Sequence, residues 1–170
     1  LKNYGVLKGY GYLERPNSAI QTNALKIAEK ETAELLKALI SKTGFKAKEA
    51  VAAIPSFSCF TAFLEMPQMS DIDMAKTMPF QISQNIPVPI SEAAIEWLKL
   101  GERETEEGIK QQILIILIPK ELIEKYKTIF KLAGLKLLSV ESESLSLVRA
   151  LINGDPTPTL IIDIGAHSTN

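Results

Sequence analysis

The feature that most constrains the fold is the alternation of two apolar patterns along the chain. Short runs rich in Val, Ile, Ala and Phe, such as Glu49–Ile54, are typical of buried strands. Longer segments, such as residues 23–42, repeat apolar side chains at three- and four-residue steps, which is the spacing of a helix face. A chain that alternates in this way is expected to form an α/β fold.

The same patterns predict the order of the elements. Strands are expected at 5–13, 49–54, 61–66, 93–100, 110–118, 135–140 and 159–164, and helices at 23–42, 70–86, 119–133 and 142–152. Thr22 or Asn23 can cap the first helix, and Gly44 can end it. Pro119 suits the first position of the third helix, which Gly134 ends.

The second helix carries conflicting signals. Ser70 is a predicted N-cap, with Asp73 three residues later in the position of a capping box. Pro79 removes a backbone hydrogen bond, so the helix is expected to kink or split near Thr77. Its predicted apolar stripe consists of Ile72, Ala75, Ile82 and Ile86.

The middle of the chain resembles an inserted domain. The predicted strands 93–100 and 110–118 are joined by a charged loop at 101–108, which indicates an antiparallel pair with an exposed tip. We therefore predict that residues 57–134 form a subdomain inserted between residues 1–56 and 135–170, which together belong to one larger lobe.

Composition excludes several classes of protein. The chain has 19 basic and 20 acidic residues, so no excess of positive charge points to nucleic acid. One Cys and one His do not suffice for a Cys/His zinc framework or a disulfide scaffold. The longest apolar run, residues 113–118, is too short to cross a bilayer.

Asp163 is the most informative single position. It interrupts the apolar run of residues 160–164, where burial of an unpaired carboxylate is costly. Gly165 and the hydroxyls of Ser168 and Thr169 follow, and such a turn suits a phosphate, while the carboxylate suits magnesium or its waters. An edge-strand Asp before an ordinary polar turn explains the local pattern equally well.

A resemblance favours the phosphate site. Residues 163–170 resemble the second phosphate motif of the actin-like ATPases. Further segments are similar, in order and spacing, to segments of the type IV pilus assembly protein PilM family. These segments are residues 54–57, 63–67, 69–71, 84–90, 119–123, 133–135 and 140–147. The resemblance implies an actin-like, ribonuclease H-like lobe with an inserted strand-helix-two-strand subdomain of the type found in FtsA.

The resemblance also implies a function. Members are cytoplasmic ATP-binding scaffolds that dock the cytoplasmic tail of the inner-membrane protein PilN and are recruited by it to the membrane. By this resemblance Asp163 would act on magnesium, Gly165 would present its backbone to a phosphate, and Ser168 or Thr169 would donate a hydroxyl. The first phosphate motif would lie before Leu1 and the adenosine-binding lobe after Asn170, so this chain alone is expected to bind no ATP measurably.

Three aromatic residues are candidates for the partner groove. Phe57, Phe60 and Phe63 lie near the predicted domain junction, where they line either a peptide groove or the core. The apolar run of residues 160–164 raises a separate expectation of a homodimer formed through an uncovered strand edge.

Two other functions stay open at this stage. A nucleotide-independent interaction module of a pilus, secretion or cell-division complex would use the subdomain alone. A phosphotransferase of the sugar-kinase branch would share the Asp-Gly turn, but no residues here resemble a sugar site.

Overall fold

The computed structural model describes residues 28–86, 89–152, 154–165 and 169. The helices and strands within these residues are, in chain order, α1 (Glu29–Thr43), β1 (Glu49–Ile54), β2 (Phe60–Pro67), α2 (Asp71–Asn85), β3 (Ala93–Thr105), β4 (Gly108–Pro119), α3 (Lys120–Leu132), β5 (Lys136–Ser142) and α4 (Glu143–Ile152). Short 3-10 turns at Ser56–Ser58 and Ile90–Glu92 precede β2 and β3.

The described residues divide into two compact units. One contains the residues up to Ser58 together with those from Leu122 onward, and the other is Cys59–Glu121. The second unit is shorter than the predicted block of 57–134, since α3 from Leu122 onward groups with the first unit. The domain boundaries derived from the sequence stay a prediction.

The second unit has the expected strand-helix-two-strand order. Its antiparallel sheet has the strand order β2-β4-β3, and α2 packs on one face. Apolar side chains of α2 meet the alternate residues of β4 that point toward the helix. The resulting core consists of Met66, Met74, Met78, Ile82, Ile86, Ala93, Ile113, Ile115 and Leu117.

Helix α2 corrects two predictions. It runs without interruption from Asp71 to Asn85, with Pro79 inside it, so the expected split near Thr77 is wrong. Met74 and Met78 are buried instead of Ile72 and Ala75, which are exposed. The predicted N-cap is confirmed, because the Asp73 backbone N–H donates to Ser70 Oγ at 3.2 Å. Burial of apolar side chains on both sides of Pro79 offsets the hydrogen bond that the proline removes.

The hairpin and the start of α3 also differ from expectation. Most of the predicted loop at 101–108 is strand, because β3 continues to Thr105 and β4 begins at Gly108. The pairing shifts register between Lys99 and Gly101, which leaves Leu100 as the extra residue of a bulge in β3. Pro119 ends β4 and does not begin the helix.

The first unit is built on a parallel pair of strands. β1 pairs with β5, from Glu49 opposite Lys136 to Ile54 opposite Ser142. Ala52, Ile54 and Ser142 are buried on one face of this pair. Gly44 adopts the left-handed conformation that ends α1, with φ of 69°, as predicted.

Residues 159–164 do not form the predicted strand. Leu160, Ile162 and Ile164 are strongly exposed, and the bridge between Ile164 and Thr169 is the only β pairing of this segment among the described residues. A strand needs a hydrogen-bonded neighbour along its length, and apart from that one bridge the described part of the chain supplies none here. The predicted strand at 5–13 and the caps Thr22 and Asn23 lie outside the described residues. Across the described ranges, no helix is long and apolar enough to cross a membrane.

Candidate functional site

The predicted phosphate-binding residues lie near the end of the chain. Ile164 and Thr169 form an isolated antiparallel bridge, which brings Thr169 back beside the residue that follows Asp163. Asp163 is half-buried, while Gly165 and Thr169 are exposed. Ser168 lies outside the described residues.

The donor set at this turn is compatible with a magnesium-bound phosphate. Asp163 offers a carboxylate and Thr169 a hydroxyl, which are hard oxygen ligands or donors. Within the described ranges, no three His, Cys, Asp or Glu side chains are grouped so that they could hold a metal ion. A nucleotide-bound magnesium needs only one or two carboxylates, because phosphates and water supply its other ligands.

The three candidate phenylalanines are divided between the two units, and the two in the second unit point to opposite faces of its sheet. Phe57 lies in the Ser56–Ser58 turn of the first unit. Phe60 and Phe63 lie on β2 of the second unit, and side chains three residues apart on a strand point to opposite faces. Phe60 is paired with Leu117 on the face that α2 covers, whereas Phe63 points away from α2. Phe63 is 71% exposed.

Phe63 belongs to an apolar row across the second unit. It lies opposite Leu114 of β4, which in turn lies opposite Leu98 of β3. Residues that pair directly in an antiparallel sheet share one face, so these three side chains form what we call the outer row, on the face away from α2. Leu114 is half-buried, and Leu98 is 38% exposed.

Polar side chains border the outer row on both sides. On one side Arg103 lies 3.6 Å from the Glu65 carboxylate, and on the other Glu96 of β3 is exposed. Nearer the hairpin turn, a hydrogen bond from Lys110 holds the pKa of Glu107 below its ordinary value. An apolar centre with a charged border is the usual composition of a site that binds another chain.

Leu98 and Leu114 are not recognisable as site residues from their local sequence, although β4 carries a signal for them. Its run at residues 113–118 is apolar at every position, whereas a strand with one solvated face alternates apolar and polar residues. An unbroken apolar run indicates that both faces of the strand are covered or bind a partner. The pairing register was also needed, since it alone places Leu98 beside Leu114.

Comparisons with known proteins converge on one family. A family model described as type IV pilus assembly protein PilM matches residues 10–170. A search of curated proteins gave no match. A solved chain of the PilM-PilN type IV pilus biogenesis complex matches with a TM-score of 0.73 and 22% identity, over 91% of this chain and 48% of that chain.

A second solved structure has a similar fold. The cytoplasmic domain of EpsL, an inner membrane component of the type II secretion system of Vibrio cholerae, matches with a TM-score of 0.52 and 13% identity. That match covers 67% of this chain and 44% of the other. The match to the chain of the PilM-PilN complex covers 48% of that chain, so this chain spans about half of its length. At these identities the likeness shows the fold, and it confirms the predicted mixed α/β class.

Proposed function

Since the chain belongs to the family of the type IV pilus assembly protein PilM, we propose that it is an ATP-binding scaffold of type IV pilus assembly. In this role it holds the cytoplasmic tail of a PilN-like inner-membrane protein, which recruits it to the membrane. Its contribution is to position partners, with at most weak ATP hydrolysis. Loss of the protein would then impair twitching motility.

The exposure of the outer row supports the partner-binding part of this proposal. Phe63, Leu114 and Leu98 lie on three adjacent strands spaced about 4.8 Å apart, so the row is roughly 10 Å long. That length accommodates two or three apolar side chains of a short peptide. Phe63 gains most from being covered, because a large aromatic ring buries more apolar area than either leucine.

The turn at Asp163 supports the nucleotide part. Asp163 would hold magnesium through water, Gly165 would let its backbone approach a phosphate, and the Thr169 hydroxyl would donate to a phosphate oxygen. Ser168 is proposed for the same role as Thr169. Bound ATP would supply the phosphates that complete the magnesium coordination. Other pilus platform proteins and a second copy of the chain are proposed as further partners.

Peptide binding tests the partner site directly. The Phe63→Ser variant of the intact protein is expected to bind a fluorescent peptide with the N-terminal tail sequence of the PilN-like protein about tenfold more weakly, as measured by anisotropy. Phe80→Ser is the matched control, because Phe80 is 59% exposed on α2, which covers the opposite face of the sheet. If both variants bind as tightly as the unmodified protein, the outer row is not the docking site.

A second candidate function is a nucleotide-independent interaction module of a pilus, secretion or cell-division complex. The fold shared with the EpsL cytoplasmic domain, from a type II secretion system, favours this alternative. It predicts full peptide binding with no ATP binding by the intact protein. The two functions are therefore separated by a nucleotide titration.

A further inference from the structure

One edge of the first unit is strongly basic. β1 and β5 are parallel and begin side by side, with Glu49 opposite Lys136, and the Lys136 backbone N–H donates to the Lys48 carbonyl at 2.8 Å. α1 ends five residues before Lys48, and α3 ends four residues before Lys136. The segment that follows α1 and the segment that follows α3 therefore both lead into the paired strand starts at this edge.

Five lysines are concentrated there. Residues 42–49 and 131–136 contain five lysines and one glutamate. We call the surface that these lysines form the lysine edge, and its members are Lys42, Lys46, Lys48, Lys131 and Lys136. All five side chains are exposed. Glu49, the one acidic residue, lies 3.0 Å from Lys136. The whole chain has a net charge of −1, so this local excess is a property of the edge and not of the composition.

Two apolar side chains are exposed among the lysines. Phe45 lies between Lys42 and Lys46 and is 44% exposed, and Leu132 follows Lys131 and is 42% exposed. Lysines that surround exposed aromatic and aliphatic side chains are characteristic of surfaces that rest on a lipid headgroup layer. The charges attract the lipid phosphates while the apolar side chains reach the acyl boundary.

We propose that the lysine edge docks on the anionic phospholipid surface of a membrane. Anionic headgroups attract nearby lysines without fixed geometry, which suits ammonium groups on flexible stems. Carboxylates of a protein partner, and nucleic acid, are more often bound by the planar arginine fork, and no arginine occurs in residues 42–49 or 131–136. This contact goes beyond the proposed docking of a partner tail and needs neither that partner nor ATP.

Vesicle flotation tests the proposal on the intact protein without peptide or nucleotide. Binding is expected to vesicles of phosphatidylcholine with about 30% phosphatidylglycerol, to fall as salt rises above about 50 mM, and to be absent for phosphatidylcholine alone. The triple variant Lys46→Glu, Lys48→Glu, Lys131→Glu is expected to bind at least about tenfold more weakly.

A control with the same change in charge isolates the position of the lysines. Lys30→Glu, Lys76→Glu, Lys99→Glu replaces three exposed lysines outside the edge and is expected to retain binding to within about twofold. Phe45→Ser, which leaves the charge unchanged, is expected to weaken binding severalfold. Circular dichroism of each variant confirms that it is folded.

Three outcomes overturn the proposal. The first is no binding to anionic vesicles at low salt. The second is an equal loss of vesicle binding in the lysine-edge triple variant and in the control triple variant. The third is binding to polyglutamate or DNA without binding to vesicles. Failure of this test leaves peptide binding at the outer row intact, because the lysine edge and the outer row lie in different units.

Discussion

Glu141 shows how a single side chain depends on a partner in a different element. Near the end of β5, it accepts hydrogen bonds from both terminal nitrogens of Arg149 on α4, one of them at 2.6 Å. This pairing is the main reason that the pKa of Glu141 lies below its ordinary value of 4.5. The two-nitrogen geometry ties the last turn of α4 to the strand that precedes the helix.

Replacement of Glu141 by Gln removes the charge that pairs with Arg149, so it is expected to lower the free energy of unfolding near neutral pH. The expected loss is only about 1 kcal/mol, because Arg149 is exposed and solvent screens its charge. Because the folded-state pKa is depressed, this stabilisation is present above the ordinary value of 4.5 and is lost as pH falls through the lowered pKa. Urea unfolding at several pH values measures it. Glu107→Gln, which breaks the exposed pair of Glu107 with Lys110, is the control. If the Glu141→Gln variant is still less stable than the unmodified protein in acid, the lost stability does not come from the pairing of the ionised carboxylate with Arg149.

At the level of elements, α2 shows that packing can override a helix-breaking residue. Pro79 is exposed in the middle of the helix, while Met78 and Ile82 on either side of it are buried. The proline cannot donate to the Ala75 carbonyl, and a proline inside a helix costs about 3 kcal/mol. The buried side chains keep the helix on the sheet despite this cost.

Pro79→Ala is expected to raise the free energy of unfolding by about 1 to 2 kcal/mol, because it restores a backbone donor at an exposed site. Part of the gain is offset because alanine gives the unfolded chain more freedom than proline does. Urea denaturation of the purified variant measures the change. Ala75→Ser, one turn earlier on the same exposed side, serves as a control for substitutions that leave the backbone bonding unchanged. An unchanged or lower midpoint for Pro79→Ala would falsify this account.

The elements themselves were largely predictable from local patterns. Gly44 ends α1 and Ser70 caps α2 as expected, because these roles depend on backbone conformation within a few residues. The buried face of α2 was not predictable, since isoleucine and methionine are both apolar and the position of the sheet decides between them. The extent of the hairpin was also missed, because pairing with β4 holds the charged residues after Gly101 in a strand.

For the whole molecule, the nucleotide proposal depends on more than the turn at Asp163. The turn contributes one carboxylate and few donors, which we expect to be too few to bind a nucleotide measurably by themselves. The intact protein is expected to bind magnesium-ATP, and residues 1–170 alone are expected to show no measurable binding by calorimetric titration.

Asp163→Asn in the intact protein is expected to weaken magnesium-ATP binding by at least about tenfold, because the amide lacks the charge that holds the metal. Asp71→Asn, at an exposed position on α2, is the matched control and is expected to bind normally. Unchanged affinity in Asp163→Asn would exclude the assigned role. A signal from residues 1–170 that disappears on Asp163→Ala would show instead that the turn suffices.

Local chemistry in the sequence determined the α/β class, the order of the elements from α1 to α4 and the caps of two helices, because these depend on periodicity and on single turn residues. The tertiary structure decided which faces of those elements are buried, that α2 continues through Pro79, and that Phe60 and Phe63 point to opposite sides of a sheet. It also assembled the outer row from three strands and the lysine edge from two distant segments. These features depend on strand register and on contacts between residues far apart in the chain, which no local pattern encodes.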